Sequence, residues 1–263
     1  MKSNTKNIQK GITAILFAVI VSIFAMMPVS AEVSPPTVEA TLAPGESLEV
    51  EKSIHVPEVP LVLDVFLLED ETGSFCDDIG YLKAAAPGIW DNLSAKTDTL
   101  RMGVGGFRDW PFCWWGSPSD WPYRMIQDLT SSKEIWLAGV NNLTCGGGYD
   151  WPESQYTALY QAATGLGKSW CGYTIAPGQN PSFSPDAFKV IILATDAPFH
   201  NPGDAGCAAC PSYPGPNATT TIAALKNANI TVIGIENGGP IAQLHEVANA
   251  TGGTVVSVGA SGE

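Results

Sequence analysis

Asp70, Thr72, Ser74, Asp77 and Asp78 fall within nine residues of the stretch LLEDETGSFCDDIG. The Asp-x-Thr-x-Ser spacing puts one carboxylate and two hydroxyls on a single short loop, and all three are hard oxygen donors suited to Mg2+, Mn2+ or Ca2+. A competing reading is a helix N-terminus, with Thr72 or Ser74 as the cap and Asp77 and Asp78 favoured by the dipole. Two more segments favour the cation. YDWPESQYTALYQA offers Asp150 and Glu153 ahead of a helix, and VIILATDAPFH ends a buried strand in Asp196. Acids at the ends of several strands or loops of one parallel sheet converge on one face, where they repel unless a divalent cation resolves the repulsion.

The elements that must bring them together are legible as pattern. From Leu61 onward the chain carries short continuous apolar runs, LVLDVFLL, LRMGVGGF, KVIILAT, ITVIGI and GTVVSV. Such runs suit parallel strands covered on both faces. Helical patterns lie between them over Asp77–Leu93, Ser131–Val140, Gln155–Leu166, Thr219–Ala228 and Ile241–Ala250. The alternation predicts an α/β fold with a doubly wound, mostly parallel sheet, in which ligands sit beyond the carboxyl ends of the strands. Residues 32–60, rich in Pro and Glu around a Pro-Gly turn, read as a linker or one or two edge strands.

The N-terminus has three lysines, an apolar run from Ile12 to Met27 and the small-residue ending Val29-Ser30-Ala31. This reads as a secretory signal peptide over residues 1–31, too short in its apolar part for a membrane span. Removing it takes away three lysines and no acid, so 10 basic residues face 26 acidic ones, a net charge of about −16. Nucleic acid and anionic membrane are therefore poor partners, and no membrane insertion is expected after cleavage. Six cysteines in an exported chain point to disulfides. Cys171 with Cys207 or Cys210, and Cys113 with Cys145, are the expected pairs, which leaves Cys76 over; a zinc site at Cys207-x-x-Cys210 beside His200 is the lesser reading. Sequons at Asn92, Asn142, Asn217, Asn229 and Asn249 fit a secreted glycoprotein.

One irregular segment, RDWPFCWWGSPSDWPY over 108–123, carries Trp110, Trp114, Trp115 and Trp121. Its aromatics either bury one another or form a contact surface, since exposed aromatics are favoured binding anchors. His200 reads as a loop packing residue, because no nucleophile motif accompanies it. GVGGF lacks the full dinucleotide spacing and reads as close backbone packing.

Taken in order, D-x-T-x-S with Asp77-Asp78, then GVGGFRD, DWPE, TDAPFH and IGIEN, the chain resembles a von Willebrand factor A domain, and most nearly the I-like domain of integrin beta subunits. The resemblance runs from about Leu61 to Ser261. It implies a metal-ion-dependent adhesion site at Asp70, Thr72 and Ser74, completed by Glu153 and, through water, Asp196, with Mg2+ or Mn2+ keeping an open position for a ligand carboxylate. It implies a flanking Ca2+ site at Asp77 and Asp78, with a carbonyl near Ser261, and a third site at Asp109, Asp150, the Pro152 carbonyl and Glu153. Thr72 stands where the family more often has serine, and Gly148 where it usually has an asparagine ligand. Glu69 and Glu71 add charge beside the first site, with no role beyond attracting the cation. The Trp-rich loop falls at the family's specificity-determining loop, and Ala86-Pro87 at a kink in its first helix. The family's last helix would follow residue 263, so 61–263 is expected to be such a domain without it.

The function expected is a secreted or cell-surface adhesion module that binds a protein or glycan carboxylate through a cation. A Ca2+-stabilised structural domain of the cell envelope is the alternative. A metal-dependent hydrolase is a weaker third reading; no G-x-S-x-G or H-E-x-x-H occurs, and no enzyme is expected.

Overall fold

The computed structural model describes residues 61–258, together with 32–34, 37, 39 and 47–55. The expected leader, much of the segment 32–60 and Ser261 lie outside the described residues. In chain order the strands and helices are β1 (Glu32–Ser34), β2 (Ser53–His55), β3 (Val62–Asp70), α1 (Cys76–Ser94), β4 (Thr99–Phe107), β5 (Arg124–Thr130), α2 (Lys133–Asn141), α3 (Gln155–Thr164), β6 (Lys168–Trp170), β7 (Tyr173–Ile175), β8 (Phe188–Thr195), β9 (Ala205–Cys207), β10 (Cys210–Ser212), α4 (Ala218–Asn227), β11 (Ile230–Asn237), α5 (Ala242–Ala250) and β12 (Val255–Val258).

Six strands form the central sheet in the order β12-β11-β8-β3-β4-β5. All its pairs are parallel except β4 with β5. The strand order runs outward from β3 in both directions, so the switch point of the sheet lies at β3 and its neighbours β4 and β8, where α/β sheets open a crevice. The sheet is covered on both faces. On one, Leu63, Val65 and Leu67 pack with Trp90 of α1 and Trp136 of α2; on the other, Phe66 and Leu68 pack with Leu159 of α3 and Leu244 of α5. The period of two along β3 assigns these faces, and burial on both sides is why its sequence is almost continuously apolar. Gly105 is required on β4 because a Cβ there would meet the Phe66 ring at 2.7 Å and the Arg124 carbonyl at 2.8 Å, which is the close packing expected of GVGGF.

Expected helices and strands match the observed ones to within two residues at each end. Not anticipated are the short strands β6, β7, β9 and β10 and β5, a half-buried antiparallel edge strand whose RMIQDLT sequence mixes charge and amide into the apolar pattern. Helix α1 runs through Pro87. Strands β1 and β2 form a separate antiparallel pair, as do β6 with β7 and β9 with β10.

The disulfides correct the expected pairing. Cys76 bonds to Cys145, Cys113 to Cys207 and Cys171 to Cys210. Only the last is one of the anticipated alternatives. Cys113 cannot pair with Cys145 because the Trp-rich loop folds over the β9–β10 hairpin, whereas residues 143–147 lie along the Asp70 loop, with Gly146 N donating to Glu71 O at 3.1 Å. All six thiols are consumed, so no zinc site remains at Cys207 and Cys210.

Candidate metal centre

Asp70 is the last residue of β3, Asp196 directly follows β8, and Asp109 lies two residues beyond β4. Parallel neighbours in register therefore deliver three carboxylates to one edge of the sheet. The connecting loops are stitched together there. Glu153 N donates to Pro198 O at 2.9 Å, His200 N to Glu153 O at 2.9 Å and Gly73 N to Gly147 O at 3.2 Å. Ser154 Oγ lies 2.7 Å from Arg108 O and 2.9 Å from Pro122 O, its one proton shared between the two carbonyls.

Asp70 is fully buried. Its Oδ1 accepts from Thr72 N at 2.9 Å and Thr72 Oγ1 at 2.6 Å, and its Oδ2 from Thr195 Oγ1 at 2.7 Å. Thr72 Oγ1 lies 3.2 Å from Ser74 Oγ, which donates to Asp196 Oδ1 at 3.0 Å. Oxygens from Asp70, Thr72, Ser74 and Asp196 thus form one connected row. Neither hydroxyl caps α1, whose N-cap is Phe75 with no side-chain bond; the helix-cap reading fails there, although Asp77 and Asp78 do occupy the first turn.

Glu153 closes the row from the side. It is buried, its Oε2 has no hydrogen-bond partner, and a Cβ on Gly148 would fall 2.6 Å from its Oε1 and 3.4 Å from Thr72 Cβ. With φ at +69° and that contact, Gly148 has no room for the asparagine that the resemblance expects. Burial first, then the charges of Asp109, Asp70 and Asp150, push Glu153 well above the usual carboxylate range. Burial likewise pushes Asp70 up to about 7, against the hydrogen bonds from Thr72 and Thr195. Buried acids without a countercharge are costly, and the unpartnered Glu153 Oε2 is an oxygen free to act as a ligand atom. The residues present fit a hard divalent ion.

Asp78 accepts from Asn237 Nδ2 at 2.9 Å, while Asp77 is exposed beside it. Asp109, Asp150 and His200 form a separate cluster, in which His200 Nε2 lies 3.2 Å from Asp109 Oδ2 and 3.3 Å from Asp150 Oδ2. Pro152 is half-buried.

Three groups were missed or misread in the sequence. His200 is no mere packing residue but the centre of an acidic cluster, and Asp204 four positions on was its one visible signal. Glu71 is not cation bait: it is buried and ion-paired with Arg124, and it accepts from Trp121 Nε1 and Thr144 N. Glu69 is buried with Oε2 unpartnered, and burial followed by the charges of Asp70 and Asp78 raises its pKa.

The Trp-rich loop is largely self-packed. Trp110 and Trp115 are buried, and Trp121 lies between the Arg108 and Arg124 guanidinium groups at 4.0 and 4.1 Å. These three are held by packing and cation–π contact; Trp110 and Trp115 offer no surface to a partner, whereas Trp121 is half-buried. Trp114 is 59% exposed, and Tyr149 and Trp151 join it with 65% and 59%. Tyr149 N bonds to Trp115 O at 2.9 Å, which ties the two loops together.

No protein-family model matches the chain. It is similar to integrin beta-4 of Homo sapiens, 24% identical over 191 residues, and to the integrin beta-4 proteins of Rattus norvegicus and Mus musculus, each 23% identical. The match covers 66% of this chain and only 10% of each relative. This weak local similarity is to part of an adhesion-related protein.

Proposed function

We propose that the chain is an exported adhesion module that binds an acidic group of a protein or glycan partner through a divalent cation. The observation that supports this most is the row of oxygens from Asp70, Thr72, Ser74 and Asp196 flanked by the unpartnered Glu153 Oε2. Asp70, Thr72, Ser74 and Glu153 would hold Mg2+ or Mn2+, with Asp196 positioned through Ser74. The bound ion supplies a Lewis-acidic position for a carboxylate. Asp77 and Asp78 would hold Ca2+ on the first turn of α1. Burial of Asp70 and Glu153 excludes water from the inner side of the site and leaves exposed Ser74 and half-buried Asp196 facing the partner. Trp114, Tyr149 and Trp151 offer aromatic contacts beside it. The disulfides and the exposed sequons accord with an oxidising, extracellular setting, and among the described residues no helix is long and apolar enough to cross a membrane. The reading is of binding and not of turnover.

Calorimetry with Mg2+ on the wild type and Asp70→Ala tests the ligand assignment: the variant is expected to lose Mg2+ binding, and retained affinity removes Asp70 from the site. A set of short synthetic peptides bearing one Asp or Glu, screened in Mg2+ and in chelator, tests the open position. Cation binding with no carboxylate-dependent capture would favour the Ca2+-stabilised structural alternative.

A further inference from the structure

We infer that Cys113, Cys171, Cys207 and Cys210 form a thiol–disulfide exchange relay, whose co-substrate is a low-molecular-mass thiol and whose product is a Cys207–Cys210 bond. The relay neither uses nor requires a bound cation, so it is independent of the adhesion reading.

Three sulfurs meet in one place. The Sγ atoms of Cys113, Cys207 and Cys210 lie within 4.8 Å of one another, although Cys113 is bonded to Cys207 and Cys210 to Cys171. Two disulfides are therefore neighbours, and a thiolate released at Cys210 has the Cys113–Cys207 bond beside it. Among the described residues the Cys76–Cys145 bridge has no third sulfur in such reach. The new bond is within reach as well. Cys207 and Cys210 face each other across β9 and β10, and opposed residues of antiparallel strands hold their Cα atoms about 4.5–5.5 Å apart, inside the range of about 4.4–6.8 Å that a disulfide spans.

The backbone supplies an independent observation. Among the described residues only Cys113, Cys171 and Asn229 take a positive φ without being glycine, at 61°, 44° and 54°. A Cβ makes that region costly, and it persists only where the surrounding structure enforces it. Two of the three are the cysteines that the relay releases, whereas the pair it joins, Cys207 and Cys210, lies in regular strand pairing.

Exposure sets the order of steps. Cys171 is exposed and Cys210 is buried, so an external thiolate attacks Cys171 Sγ, forms a mixed disulfide there and expels Cys210 as a thiolate. Ala209 O, 3.6 Å from Cys171 Sγ, opposes the reverse polarity with the charge on Cys171. The Cys210 thiolate then attacks Cys207 Sγ, forms Cys207–Cys210 and expels Cys113 as a thiolate. That leaving sulfur is provided for: Cys207 N donates to Cys113 Sγ at 3.1 Å, and Cys210 O, 3.6 Å away, accepts from it once solvent has protonated it. A second external thiolate attacks the small thiol's sulfur in the mixed disulfide and frees Cys171. Two thiols are oxidised to one small disulfide, and one protein disulfide is reduced to the thiols of Cys113 and Cys171. Exposed disulfides are the readily exchanged ones. The reaction unfastens both the Trp-rich loop beside Trp114 and the β6–β7 hairpin from the β9–β10 hairpin.

The test treats the folded full chain with limiting glutathione, quenches it with acid, blocks free thiols with N-ethylmaleimide and maps the disulfides by peptide mass spectrometry. Wild type is expected to show a Cys207–Cys210 bond, label on Cys113, and label or glutathione on Cys171. Label on Cys210 with the Cys113–Cys207 bond intact is plain reduction and overturns the relay, as does a Cys113–Cys210 bond with label on Cys207. Cys171→Ser leaves Cys210 without its partner from the outset and is expected to give the Cys207–Cys210 bond and a labelled Cys113 with no added thiol. A labelled Cys210 in that variant, beside an intact Cys113–Cys207 bond, also overturns the proposal. The wild-type map decides the matter if the variant does not fold.

Discussion

Asp70 shows how burial of one carboxylate sets a pH dependence of stability. Burial raises it to about 7, three hydrogen bonds notwithstanding, so in the metal-free protein its folded pKa exceeds the unfolded value near 4. The stability linked to it is complete below about pH 4 and is lost as pH climbs through about 7. Glu153 and Glu69 are raised as well and act with the same sign. His200 is pulled down by burial but raised more by Asp109, Asp150 and Asp204, to about 10; its contribution is complete below its ordinary value near 6.5 and declines as pH rises through about 10. Thermal melts of chelator-dialysed protein are therefore expected to show a melting temperature that falls from about pH 4 to pH 7, and Mg2+ is expected to flatten the fall because the ionised carboxylates are the form a cation binds. A metal-free melting temperature that rises over that interval contradicts the burial argument. By the same logic Asp70→Asn should stabilise the metal-free protein, on the order of 1–4 kcal/mol near neutral pH, while abolishing the gain from Mg2+. Type and spacing made the Asp70 loop, Asp150, Glu153 and Asp196 legible in the sequence. Asp109 entered through the resemblance. His200 was not legible as the centre of an acidic cluster, since its partners lie 91, 50 and 4 positions away and only the loop stitching brings the first two to it.

At the scale of elements, the Trp-rich loop and the Cys76–Cys145 bridge carry separable loads. Trp115 is 1% exposed and packs against Tyr213 at 5.1 Å, so Trp115→Ala should destabilise the protein by about 3–5 kcal/mol in denaturant titrations. Trp114→Ser should change stability by no more than about 0.5 kcal/mol and weaken partner capture. Equal stability losses would return Trp114 to the packed group. Cys76 at the start of α1 and Cys145 in the loop that crosses the Asp70 loop are 69 positions apart. Replacing both with serine should remove about 4 kcal/mol on the chain-entropy account and weaken cation binding, because α1 then loses its covalent tie to the loop carrying Gly147 and Gly148; unchanged Mg2+ affinity would show that the hydrogen bonds alone suffice. Strands such as β3 and β8 were readable because burial on both faces leaves an unbroken apolar run. Strand β5 was not, because an edge strand half-open to solvent keeps Arg124, Gln127 and Asp128 and has no such run. Disulfide pairing was unreadable for a different reason: it depends on which loops meet over the sheet edge, and Cys76 and Cys113 are carried to different loops there.

For the whole molecule, 26 acidic residues against 13 basic ones leave a net charge of −13, and the densest buried share of it lies at one edge of one sheet. Two cation effects on stability must therefore be separated. Monovalent salt screens the general repulsion over a Debye length of about 8–10 Å; its effect is gradual and does not saturate at low concentration. A divalent ion in the proposed Asp70 site would bind only the folded chain, because β3, β8 and the 149–154 loop meet only there, and would stabilise it by RT ln(1 + [L]/Kd), about 2.7 kcal/mol at a hundredfold excess. For a domain of this size 1 kcal/mol corresponds to roughly 2–4 °C, so saturating Mg2+ should raise the melting temperature by about 5–11 °C. The rise should be logarithmic in Mg2+ above Kd, absent in Asp70→Ala, and reversed by chelator. Sodium chloride at matched ionic strength should give a smaller and featureless rise in both proteins. If sodium chloride reproduces the Mg2+ shift, or Asp70→Ala responds to Mg2+ as the wild type does, the stabilisation is diffuse screening of an acidic surface and no cation site at the sheet edge takes part in folding.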